Sequence, residues 1–96
     1  DLIKDLCQIL RSEMVNYKLQ LLMAISKNDF EQIDNITHKM KSSVAVLGFD
    51  KLYSEILTIQ ENAIKKSIDF DFSNEISCIF ISLNEHLTEL ENFLKK

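Results

Sequence analysis

The chain has 96 residues, 46% hydrophobic and 27% charged, with a net charge of −4, which describes one folded domain rather than a disordered segment. One glycine and no proline leave sandwiches and barrels without their usual turn punctuation. The interspersed charges lack the basic stripe of a nucleic-acid binder, and no run suits a secretory signal or approaches the ~20 apolar residues of a membrane span.

Four amphipathic segments follow at helical period. The first is expected over about residues 2–26, with Ile3, Leu6, Leu10, Met14, Tyr17, Leu21 and Ala24 on one stripe. The second covers about 29–47 on Phe30, Ile33, Thr37, Met40, Val44 and Leu47. Asp29 and Gln32 suit a capping-box-like start, and Gly48 stands where a helix-ending glycine belongs. Asp50 is expected to cap the third segment, about 50–66, which carries Leu52, Ile56, Ile59 and Ala63. The linker Ser67–Phe72 should tuck its aromatics against the bundle end. Ser73 then caps the fourth segment, about 73–95, with Ile76, Phe80, Leu83, Leu87 and Leu90 along its stripe. Short connections and steps of three and four predict an all-α fold, an antiparallel up-down-up-down four-helix bundle.

Cys7 and Cys78 show no zinc-type or CxxC spacing and read as reduced helix thiols. Lys65-Lys66 and Lys95-Lys96 read as solvated helix ends suited to the macrodipole. The chain opens at Asp1 rather than Met, as expected of a domain cut from a larger protein.

Chemistry concentrates on the second helix. At 100° per residue His38 falls about 130° from the mean direction of the apolar stripe, so it should face solvent. Glu31, Asp34, Lys41, Ser42 and Ala45 share that side. Lys41 and Ser42 follow at i+3 and i+4, where helix residues are neighbours. Ser42 and Ala45 keep the ground around the imidazole low, and Val46 adds exposed apolar surface. Neutral imidazole is a competent nucleophile near neutral pH. A phosphoryl group on it would carry negative charge that Lys41, with Lys39 nearby, can offset. No Walker loop or glycine-rich phosphate cradle is present, so the donor must be another protein domain.

The segment Thr37-His38-Lys39-Met40-Lys41-Ser42, followed after four residues by Leu47-Gly48, resembles the signature of histidine-containing phosphotransfer domains. That signature reads roughly Ala-His-x-Leu-Lys-Gly, four residues, Leu-Gly. His38, Lys41, Leu47 and Gly48 match, and Met40 is a volume-conserving replacement for leucine. Ser42 and Thr37 depart from the glycine and alanine of the pattern; Ser42 stays small, and the Thr37 hydroxyl can bond back to the helix. The resemblance implies a phosphorelay intermediary without its own kinase site. His38 would be the phospho-acceptor, Lys41 the charge-stabilising neighbour, and Gln60 on the next helix a group orienting the imidazole. Lys39, Ser42, Ala45 and Val46 would belong to the docking surface, and Gly48 would end the helix. The partners would be response-regulator receiver domains, which supply Mg²⁺; this chain would bind no cofactor or metal of its own. A monomeric, cytoplasmic domain without nucleic-acid or direct membrane contact is implied, commonly the cytoplasmic end of a hybrid sensor kinase.

Two other readings compete. One is the phospho-accepting domain of a chemotaxis-type histidine kinase, fed by a linked ATP-binding domain. The other is a non-catalytic helical interaction module in which His38 does no chemistry. A kinase dimerisation helix pair is disfavoured, because the Glu and nearby Pro expected after its histidine are missing. His86, beside Leu87 and between Glu85 and Glu89, reads as structural or solvated, and a His38/His86 metal site lacks two further ligands.

Overall fold

A computed structural model describes residues 2–94 as four helices: α1 (Leu2–Ser26), α2 (Phe30–Val46), α3 (Asp50–Ile64) and α4 (Phe72–Leu94). They form an antiparallel up-down-up-down bundle of 45 × 21 × 19 Å, its long axis set by the 25-residue α1. The helices stand in a ring: α1 packs on α2 and α4, and α3 on the same two. Among the described residues the backbones of diagonal helices stay apart, although Phe30 of α2 reaches the ring of Phe72 of α4. Among the described residues no helix is long and apolar enough to cross a membrane.

The core is the sum of the predicted stripes. Leu10, Met14, Leu21 and Ala24 of α1 meet Ile33, Met40 and Val44 of α2, Leu52, Ile56, Ile59 and Ala63 of α3, and Ile76, Leu83 and Leu87 of α4. Ile36 and Ile79 join them from positions beside their stripes, and Ile3, at the open end of α1, is 42% exposed. Cys7 is wholly buried as well. Burial pushes its thiol up from its ordinary value; Glu91 adds to the shift and Arg11 opposes it. Cys78 is exposed. Alkylation of the native protein is therefore expected to modify Cys78 alone within the time that unfolding reveals a second thiol. Equal reaction at Cys7, read by mass spectrometry, would contradict its burial.

Helix ends show where local chemistry ruled and where it did not. Asp29 caps α2, its carboxylate accepting from the Gln32 N–H at 3.2 Å. The reciprocal half of a capping box is missing, because the Asp29 N–H donates to the Ala24 carbonyl at 2.8 Å. Asp50 does not cap α3. It is the first helical residue, and Phe49 is the cap position, without a side-chain bond. Asp50 still places a negative charge in the first turn, where the helix dipole favours it.

Nor does Ser73 cap α4: the Asp71 carboxylate accepts from the Asn74 N–H at 3.1 Å. The helix starts earlier than predicted because Phe72 is buried against Phe30 (centroids 5.9 Å apart) and Phe70 (4.8 Å). Ile68 in the same linker is 85% exposed. Lys65 is the C-cap of α3, so that helix ends before the predicted lysine pair. Lys95 and Lys96 lie outside the described residues.

Each tight connection turns through a left-handed residue just past a helix end: Asn28 at φ 52, Gly48 at φ 74 and Lys66 at φ 54. Only Gly48 adopts it without a Cβ penalty. A Cβ on Gly48 would meet no atom within 4 Å, so the cost of Gly48→Ala is purely conformational. It is expected to lose about 1 kcal/mol, seen as a melting temperature lower by roughly 4–8 °C. Lys66→Gly should move in the opposite direction.

Candidate functional site

His38 is the central residue of the 17-residue α2, on the face turned away from the core. Its neighbours Ile36, Thr37 and Met40 are buried, while His38 and Lys39 are exposed. The helix is locked from beneath. The Thr37 hydroxyl donates to the Ile33 carbonyl at 2.7 Å, the back-bond expected of a buried threonine. Met40 and Val44 are fully packed. The imidazole makes no hydrogen bond or ion pair with any described residue, so both ring nitrogens are available to a visitor.

The surroundings are low and mixed. Ser42 and Ala45 are exposed, and the Ser42 hydroxyl folds back towards the His38 carbonyl at 3.5 Å. Val46 is 69% exposed. These residues and Lys39 form the open surface next to His38.

Lys41 is half-buried rather than fully outward. Its Nζ stands 5.9 Å from the centroid of the Tyr53 ring on α3, within reach of a cation–π attraction. The cation thus leans across the α2–α3 seam, and it would have to swing outward to meet an anion on His38.

Gln60 is buried, at 8% exposed, and its amide makes no direct bond to the imidazole. Its Nε2 donates to Asp34 Oδ1 at 2.7 Å, and its Oε1 has no partner. The antiparallel register explains this arrangement. Asp34 pairs with Gln60 and Lys41 with Tyr53 across the seam, which sets His38 level with Ile56 and leaves Gln60 one turn away. A carboxylate within reach is also a stronger acceptor than neutral imidazole. Asp34 therefore belongs to this site, although sequence reading gave it no role. Its i−4 offset from His38 was the available signal.

His86 is held by structure. Its Nδ1 lies 2.7 Å from the Ser82 carbonyl, which can only accept, so Nδ1 carries the proton. The ring packs on Phe49 at 5.2 Å between centroids. It sits on α4, diagonal to α2, and so is not brought together with His38. Among the described residues no group of three or more His, Cys, Asp or Glu side chains is placed to hold a metal.

One polar cluster on the far side of the bundle also escaped sequence reading. Arg11 of α1 reaches three α4 side chains: Glu91 at 2.7 Å, Asn84 at 2.6 Å and Thr88 at 3.0 Å. Its fork clamps the α1–α4 seam. Compared with known proteins, the chain matches no family model, no curated protein and no solved structure.

Proposed function

We propose that this chain is a phosphorelay intermediary. His38 accepts a phosphoryl group from the aspartate of one receiver domain and yields it to the aspartate of another. The observation that carries the reading is an exposed imidazole, unbonded to any described residue, at the centre of a rigid helix, with the short Ser42 and Ala45 on its side and a lysine at i+3. In the forward step the lone pair of an unprotonated ring nitrogen attacks phosphorus. An N–P bond forms, the aspartyl P–O bond breaks, and its electron pair leaves with the receiver's carboxylate. Phosphoryl transfer asks mainly for positioning and charge stabilisation. The helix supplies the first; Lys41, once released from Tyr53, supplies part of the second. Mg²⁺ and the remaining catalytic groups belong to the receiver.

Incubation with receiver domains from the same organism, phosphorylated in the presence of Mg²⁺, tests this. The expected result is label on this chain in an acid-labile, alkali-stable linkage. Failure of every such receiver to transfer label would remove the relay reading.

One observation favours the alternative of a helical interaction module. The outer face of α1 exposes Val15, Leu19, Leu22 and Met23 at 62, 57, 41 and 59%, more apolar surface than a helix packed on one side needs. In that reading His38→Gln leaves partner binding and signalling unchanged.

A further inference from the structure

We propose that Asp34 sets how tightly a phosphoryl group is held on His38: its fixed negative charge, one turn away, keeps the phosphohistidine high in energy and favours passing the group on. The proposal rests on His38 being the acceptor.

Three observations support it. Asp34 precedes His38 by four residues, the spacing of helix neighbours. The side chain is half-buried and anchored, with Oδ1 bonded to Gln60 Nε2 at 2.7 Å, so the charge cannot swing away as a free surface carboxylate does. The anchor has one orientation only. Flipping the Gln60 amide would set its oxygen against the carboxylate, which is why the buried Oε1 is left without a partner. A buried orphan acceptor is costly, and the bond to Asp34 is what keeps the amide this way round.

The result is a histidine between opposite charges on the α3 side of its helix, Asp34 before it and Lys41 after it. Lys41 is drawn off towards Tyr53, whereas Asp34 is fixed. The other charges on this face, Glu31 and Lys39, are exposed and unanchored. A phosphoryl group on His38 carries close to two negative charges, so it meets the Asp34 carboxylate as a like charge at i+4. That repulsion raises the energy of the N–P bonded state. It is relieved when the N–P bond breaks and the phosphoryl group moves to an acceptor oxygen. Like-charge pairs at this spacing, doubled for a dianion, correspond to roughly a two- to fivefold effect.

The test needs no partner protein. Phosphoramidate, a small chemical donor, is used to phosphorylate the purified protein, and the decay of the His38 signal is followed by ³¹P NMR; the signal is assigned by its absence in His38→Gln. Asp34→Asn keeps an oxygen acceptor for Gln60 and removes the charge. Its phosphohistidine is expected to last about two to five times longer than in the wild type. Glu31→Gln should change the lifetime less. A lifetime unchanged or shortened in Asp34→Asn overturns the proposal. Should that variant melt early, ionic strength separates the causes, because a lifetime difference that comes from charge shrinks with added salt and one that comes from packing does not. A difference unchanged by salt would show that packing, not charge, is responsible, and would overturn the proposal too. Protein that takes phosphate from phosphoramidate but from no receiver defeats the relay reading and leaves the lifetime comparison standing. Refusal of phosphoramidate by His38 defeats both.

Discussion

Replacing His38 by glutamine is expected to abolish labelling by a phosphorylated receiver, a loss of at least about 10³-fold, because the variant lacks the exposed imidazole that would attack phosphorus. The change should be almost silent for folding. His38 is exposed and its ring bonds to no described residue, and surface substitutions of that kind usually shift stability by less than about 0.5 kcal/mol. Glutamine also suits a helix better than histidine does. Loss of label in a protein with unchanged melting would therefore locate the chemistry at one atom group. Label that persists would point elsewhere, and His86 is a poor heir. Its Nδ1 is engaged with the Ser82 carbonyl and its ring lies against Phe49. A persistent acid-labile signal in His38→Gln would thus sink the proposed function rather than relocate it to another histidine.

The parts of this fold legible in the sequence are those decided within one helix. The stripes through Met14, Met40, Ile56 and Leu83 follow from spacing, since a 3.6-residue period puts them on one side whatever they later meet. Asp29 and Gly48 were legible for the same reason, because caps are local chemistry. The segment Asp71-Phe72-Ser73 holds two residues able to cap, and Asp71 takes the role over Ser73 because Phe72 is buried against Phe30 and Phe70, a tertiary event. The candidate site divides along the same line. The outward direction of His38 is a property of α2 alone. The destination of the Gln60 amide depends on how α3 slides against α2, and a single sequence carries no measure of that register. The Arg11 fork onto α4 was out of reach for the same reason, since its partners lie 73 to 80 positions away.

Truncating Ile56 to alanine tests the scaffold at the level of the imidazole. Ile56 is wholly buried and stands across the α2–α3 seam from His38, in the register fixed by Asp34–Gln60 and Lys41–Tyr53. Ile56 belongs to the core cluster to which all four helices contribute, and a close-packed interior relaxes only partly around a lost side chain. The expected cost is about 2–5 kcal/mol, from lost apolar burial plus the cavity left behind. For a domain whose total stability is of order 5–15 kcal/mol, that is a large share. It should appear as a drop in urea midpoint of roughly 1–3 M, taking a slope near 1.5 kcal/mol per molar. Val46→Ala, at a position 69% exposed near the end of the same helix α2, is the contrast and should cost under about 0.5 kcal/mol. An Ile56→Ala protein as stable as the wild type would mean that the seam is not packed as described. Below its melting temperature the truncated protein should still take label on His38, though more slowly. The cavity loosens the rod on which the imidazole is mounted, and transfer depends on the nucleophile holding its line to phosphorus.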